Sequence, residues 1–135
     1  YAGVILHDLC KTTEMISDET GSVSYYSADG LLIGHLVRGV ARIEEAAKNV
    51  GVSGEIVLLL EHMVLSHHSI PEYGSPKAPM FPEAEVLARI DDLDAKMNEM
   101  QGILSRVPEG AFSEKVWSLD RRIYHPKYQE IDGAE

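Results

Sequence analysis

The stretch Glu55–Pro76, EIVLLLEHMVLSHHSIPEYGSP, decides how the rest of the chain is read. Its first half is apolar nearly all round, which predicts a central helix rather than one lying on a surface. Ser53 is the expected N-cap, and Glu55 suits the first turn. The run ends on an adjacent histidine pair, His67-His68. The chain then enters a loop over residues 69–81, marked by Pro71, Gly74, Pro76 and Pro79. By itself the pair has two readings. It is a helix C-terminus that favours partial positive charge, or it is part of a metal site.

Working outward, the preceding segment Leu31–Val50 carries Leu32, Leu36, Val40, Ile43 and Ala47 at helical spacing, and Gly51 stops the run. Residues 1–10 read as the last turns of an apolar helix ending near Lys11. Residues 12–30, TTEMISDETGSVSYYSADG, alternate polar and β-prone side chains around Glu19-Thr20-Gly21, which predicts a short hairpin or an irregular loop. Downstream, Pro82 suits the first position of a helix running to about Val107, with Val86, Leu87, Ile90, Leu93, Met97 and Met100 as its buried stripe. A shorter helix is expected from Ser113 to Tyr124, and a fraying polar tail after Pro126. The sequence shows no repeats, and it predicts a mostly helical domain.

At 135 residues and 44% hydrophobic, the chain suits one globular domain. It opens on Tyr1 rather than Met with residues that already read as structured, which points to a fragment or a domain of a longer protein. No apolar run approaches the ~20 residues of a membrane span. Cys10 is the single cysteine, so no internal disulfide is expected and a cytoplasmic location is the default. A net charge of −10 argues against holding nucleic acid by bulk electrostatics. If the substrate is a polyanion, metal cations or another domain must supply the positive charge.

The chemistry-bearing residues fall in four segments: His7-Asp8, Gly34-His35, His67-His68, and the acidic run Ile90–Lys96, IDDLDAK. Imidazole and carboxylate hold divalent first-row metals. Adjacent residues on a helix point ~100° apart, so each doublet can divide between neighbouring metals or between a metal and solvent. Taken singly, each element has a plainer explanation. His35 reads as a hydrogen-bonded core histidine, and Asp91, Asp92 and Asp94 as a solvated helix face. Asp91, however, lies on the border of the expected buried stripe, where an aspartate wants a cation. His62 reads as a satisfied core histidine. The ordered set weighs more than any member.

With LHDLCK, DGLLIGH, SHH, EYGSP and DDLDAKM in this order, and WSLDRRIYHP closing the chain, the sequence resembles the HD-domain metal-dependent phosphohydrolases. Within them it is most similar to the YhaM-type 3′→5′ exoribonucleases. The resemblance implies an all-α HD-domain helical bundle over residues 1–125, with a short hairpin or irregular insertion after the HD motif and a polar tail over 126–135. It implies His7, Asp8, His35, His67, His68 and Asp91 as metal ligands. Lys11, the lysine of an HDxxK signature, joins Asp8 in the catalytic role. Tyr73 is a candidate for stacking on a terminal base or ribose and the Gly74-Ser75 backbone for approaching phosphate, although the loop equally reads as a rigid Pro-rich connection with an incidentally exposed tyrosine. Arg38 is a candidate for reaching the phosphate, although it also reads as simply facing water.

The implied reaction is hydrolysis of phosphodiesters at the 3′ end of single-stranded RNA or DNA, releasing nucleoside monophosphates. The implied cofactor is a divalent metal, Mn2+ first, with Mg2+, Fe2+ or Co2+ as alternatives. The resemblance implies an OB-fold domain, expected outside the residues of this chain, and a homo-oligomer is a further expectation. Three departures stand out: the superfamily's first histidine belongs to a helix upstream of Tyr1, Cys10 replaces a usual glycine, and Ser69 replaces the glycine that usually follows the pair. Two competing readings keep the site but change its use. One is hydrolysis of a small nucleotide or cyclic nucleotide, and the other a non-catalytic regulatory or assembly domain that retains metal.

Overall fold

A computed structural model describes residues 1–128 of the chain. It divides into two compact units, Tyr1–Asp91 and Asp92 onward. Helices dominate, joined by one small antiparallel sheet. The elements of the first unit are α1 (Ala2–Leu6), α2 (Lys11–Glu14), β1 (Met15–Ser17), β2 (Val23–Tyr26), α3 (Ala28–Leu32), α4 (His35–Val50), α5 (Glu55–Ser66) and the start of α6 (Pro82–Leu104). The mainly helical expectation holds, but the hairpin β1–β2 is regular sheet, so all-α is too strong a description.

The pair α4–α5 forms the frame. Leu36, Gly39, Ile43 and Ala47 are buried along α4 at three- and four-residue spacing. Leu32, expected in this stripe, is exposed instead, because the helix breaks at Ile33-Gly34 and α3 is a separate short element. Gly39 sets the helix–helix distance. A Cβ there would lie 2.7 Å from Val64 Cγ1 on α5, so the two backbones approach closer than any side chain permits. Gly51 closes α4 with φ 70°, the left-handed cap conformation that glycine adopts without penalty.

α5 differs from expectation in two ways. Its N-cap is Gly54, with no side-chain cap, so Ser53 does not serve. Its apolar character does not make it buried all round: Val64 is fully buried, but Ile56 and Leu58 are largely exposed. Only the face toward α4 and α1 is covered. α1 is too short to persist alone. It is held on α5 through Gly3, whose missing Cβ leaves room for the Met63 thioether. Between α1 and α2 the chain turns over His7–Cys10, so the expected helix ends earlier than Lys11.

α6 buries Ala84, Leu87 and Ala88. Of the stripe expected from its large apolar residues, Leu87 alone is buried and Met100 half-buried, while Val86, Ile90, Leu93 and Met97 are exposed. The buried face is phased by the two alanines, which let the helix pack closely, and Asp91 continues that face one turn beyond Leu87 and Ala88. In the second unit no helix spans Ser113–Tyr124. Those residues fold back on themselves through bridges Phe112↔Tyr124 and Val116↔Arg121. Asp120 takes φ 49° at the turn, and Ser113 Oγ accepts the Ile123 N–H at 2.9 Å. The β-prone Phe112, Val116, Ile123 and Tyr124 flank this turn and outweigh the helical spacing. Of the expected polar tail, residues 126–128 carry no regular structure and 129–135 lie outside the described residues.

Candidate metal centre

Four elements of the first unit meet at one place. The turn after α1 supplies His7 and Asp8, the N-terminus of α4 supplies His35, the end of α5 supplies His67 and His68, and α6 supplies Asp91. Asp8, His35, His67 and His68 each offer one ligand atom within 4.8 Å of the others, and His7, His67 and Asp91 form a second such group sharing His67. All six residues named from the sequence as ligands are therefore brought together.

The separations suit a shared cation. His67 Nε2 and His35 Nε2 lie 3.4 and 3.5 Å from Asp8 Oδ1. His7 Nε2 lies 3.5 Å from Asp8 Oδ2 and 3.6 Å from Asp91 Oδ1. Two atoms bound to one metal at about 2.1 Å stand roughly 3 to 3.5 Å apart for tetrahedral or octahedral angles. The rings of His67 and His68 are packed edge-on, 4.2 Å between centroids, and those of His7 and His67 at 4.9 Å.

Hydrogen bonding prepares the ligand atoms. Each of the four rings donates Nδ1–H to an oxygen: His7 to Val4 O at 2.8 Å, His35 to Glu14 Oε2 at 2.6 Å, His67 to Val64 O at 2.7 Å and His68 to Tyr73 O at 2.7 Å. Because those partners only accept, the proton sits on Nδ1 and the lone pair on Nε2. Asp8 Oδ1, His35 Nε2 and His67 Nε2 are buried without any hydrogen-bond partner among the described residues. Leaving three polar atoms so, all facing one point, costs free energy unless something binds them. The donor set of imidazole nitrogens and carboxylate oxygens fits a divalent cation.

The charges agree with this. Burial acts to raise the Asp8 carboxyl pKa, but the Lys11 ammonium bonded to Oδ2 holds it well below the usual carboxylate range, so Asp8 is an anion. Burial lowers His35 against the pull of Glu14, and burial lowers His68. Both imidazoles are thus kept neutral and able to ligate.

The remaining sequence candidates are placed as follows. Lys11 Nζ donates to Asp8 Oδ2 at 2.7 Å and stays partly exposed. Tyr73 is exposed at the rim of the loop after the pair. Gly74 donates its N–H to Pro71 O, within the turn. Ser75 is fully buried, and its Oγ accepts the His68 N–H at 3.1 Å, so its side chain braces the histidine loop. Arg38 is held by Asp29 in a two-toothed ion pair, with Nε 2.8 Å from Oδ2. That pairing turns it toward α3. His62 stands apart, its Nε2 accepting the Met80 N–H at 3.1 Å.

Glu14 was not foreseen from the sequence. It lies in an unremarkable KTTE segment, and only the return of the chain through the hairpin brings His35 against it. The loop also explains one sequence departure. Ser69 has φ 71°, a conformation that glycine adopts freely and serine does not. Ser69→Gly is expected to stabilise the chain by about 0.5–1 kcal/mol, since relief of strain exceeds the added chain entropy. Chemical denaturation of the two proteins checks this, and a loss of stability would contradict it.

Comparison with known proteins agrees with the geometry. The family model described as HD domain matches residues 1–96. The 3'-5' exoribonuclease YhaM of Geobacillus sp. (strain WCH70) is 46% identical over 132 residues, covering 97% of this chain and 40% of that protein. The protein of the same name from Bacillus licheniformis is 48% identical over 126 residues, 93% of this chain and 39% of its own length. That of Bacillus subtilis (strain 168) is 46% identical over 132 residues, 96% and 41%. The chain thus spans about 40% of the length of the curated relatives it matches. No solved structure matches it at the same stringency. With a His-Asp step at residues 7–8, a family match over most of its length and relatives at this level of identity, the chain belongs to the HD-domain family.

Proposed function

We propose that this chain is the hydrolytic domain of a metal-dependent 3′→5′ exoribonuclease, cleaving the terminal phosphodiester of single-stranded RNA and releasing nucleoside monophosphates. The observation that carries the hydrolytic part is the convergence of Asp8 Oδ1, His35 Nε2 and His67 Nε2, buried and unpartnered, on one point. The substrate class rests on the names of the relatives. Mn2+ is the first choice of ion because a mixed imidazole–carboxylate set suits it, with Mg2+, Fe2+ or Co2+ as alternatives.

Asp8, His35, His67 and His68 would hold a divalent ion, and His7, Asp91 and the shared His67 form an overlapping group that would hold one as well. Such ions supply Lewis acidity, activating water for attack and offsetting charge on the phosphate oxygens. The chain's own contribution is orientation. The Nδ1 bonds keep each Nε2 aimed inward without reorganisation. Lys11 keeps one face toward Asp8 and, being partly exposed, places a positive charge where a scissile phosphate would arrive. Exposed Tyr73, on the loop tied to His68 through its own carbonyl, would stack on the terminal base.

No helix among the described residues is long and apolar enough to cross a membrane, and RNA degradation in the cytoplasm is consistent with that. Because the chain is acidic, single-strand tracking would fall to a basic partner domain such as an OB-fold. The relatives, more than twice as long as this chain, have room for one. The test is a short RNA labelled at its 5′ end, incubated with the chain and Mn2+. Stepwise shortening from the 3′ end with release of monophosphates is expected. Intact RNA alongside rapid turnover of free or cyclic nucleotides would replace this reading with the small-substrate one.

A further inference from the structure

His35 is anchored differently from the other three rings at the centre. His7, His67 and His68 fix their Nδ1 on backbone carbonyls, whereas His35 Nδ1 meets the Glu14 carboxylate at 2.6 Å. Both side chains of that pair are about nine-tenths buried, at 10% and 11% exposure. We infer that Glu14 is a positioning residue of the metal centre, and that the hairpin β1–β2 with the start of α3 is the bracket that holds it in place. The inference rests on reading the cluster as a metal centre.

A carboxylate on Nδ1 orients the ring and also makes its Nε2 a stronger donor than a carbonyl partner would. Among the described residues His35 is the sole ion-pair partner of Glu14. A buried anion facing a ring whose other nitrogen has no partner is an incomplete arrangement, and a cation on Nε2 completes it.

The construction around Glu14 points the same way. It is the last residue of α2, and β1 starts at the next position. Pairing of Met15 with Tyr26 returns the chain so that Ser27 lies against Glu14. There the Ser27 N–H donates to Glu14 O at 2.9 Å, and its hydroxyl donates to Thr13 O at 3.0 Å. The same hydroxyl accepts the Gly30 N–H at 3.0 Å, capping α3. Gly30 then closes on the glutamate: a Cβ at this position would stand 2.6 Å from Glu14 O and 2.8 Å from Glu14 Cγ. A methyl group cannot enter without displacing the carboxylate stem. The hairpin thereby has a stated task, which is to fix one side chain behind one ligand.

The experiment measures Mn2+ binding by titration calorimetry, and the His35 ring tautomer by nitrogen-15 NMR of the metal-free chain above the histidine titration range. Glu14→Gln, which keeps an acceptor oxygen but loses the charge, is expected to weaken Mn2+ about 10-fold and to keep the proton on Nδ1. Glu14→Ala is expected to weaken it by up to about 100-fold and to lose the Nδ1–H preference. Gly30→Ala, which replaces neither a ligand nor Glu14 but presses on the glutamate stem, should move both readouts in the direction of Glu14→Ala. A purely structural role would lower thermal stability and leave the tautomer alone. Unchanged Mn2+ affinity and an unchanged tautomer in a folded Glu14→Gln or Glu14→Ala would overturn the inference. If Glu14→Ala does not fold, the charge dependence in Glu14→Gln and the displacement in Gly30→Ala decide it. If the unsubstituted chain takes up no Mn2+, the metal-centre reading fails, and the tautomer comparison still decides whether Glu14 orients His35.

Discussion

Asp8→Asn is expected to lower Mn2+-dependent phosphodiester hydrolysis by about 10²–10³-fold, the range found when one preorganised electrostatic group is removed from an active site. Asp8 is placed to act twice. Its Oδ1 faces the Nε2 atoms of His35 and His67, while its Oδ2 is bonded to Lys11 and lies 3.5 Å from His7. Asparagine retains the size but removes the charge, and its NH2 group would aim donors either at the ligand cluster or at the Lys11 ammonium. Both orientations are unfavourable, so ion binding and the placement of Lys11 fail together. The fold should survive, because the side chain is only half-buried and the substitution nearly isosteric. Turnover of bis-p-nitrophenyl phosphate at saturating Mn2+ is the readout. Activity equal to that of the unsubstituted chain would make Asp8 a structural residue and remove the hydrolytic reading.

The second large effect is on stability. Without an ion, the centre leaves three buried polar atoms unpartnered, Asp8 Oδ1, His35 Nε2 and His67 Nε2, and these oppose the compact state. Binding to the folded form alone adds about 2.7 kcal/mol at a hundredfold excess over Kd and about 4.1 kcal/mol at a thousandfold. For a chain of this size that raises Tm by roughly 10 °C. Scanning calorimetry with Mn2+ and with a chelator should show this difference, and Asp8→Asn should abolish it. Coincident transitions with and without the ion would mean that the cluster holds no metal in the folded state.

The parts of this fold legible in the sequence are those where spacing and chemistry coincide. The α4 stripe through Leu36, Ile43 and Ala47 was readable because its apolar residues recur on one face and Gly51 supplies a cap. The β-prone residues around Glu19-Thr20-Gly21 left a hairpin and an irregular loop both open, and cross-strand pairing makes the segment a hairpin. The phase of α6 was not readable, since its buried face is built on Ala84 and Ala88, and close approach of small residues leaves no signal in hydrophobicity. The exposed Ile56 and Leu58 show the reverse error, where apolar composition overstates burial. At Phe112–Tyr124, local pairing across a turn with Asp120 in a left-handed conformation outweighed helical spacing. The six residues of the cluster could be named because each carries metal-binding chemistry and the segments come in a family order. Glu14 could not, since its part depends on a tertiary contact across the hairpin.

The central claim is that these side chains hold a metal ion, and anomalous diffraction from crystals grown with Mn2+ tests it most directly. The account predicts an anomalous peak bounded by Asp8 Oδ1 and the Nε2 atoms of His35, His67 and His68, at about 2.0–2.3 Å from each. A map without a peak at that point, or with Mn2+ bound only elsewhere on the chain, would contradict it.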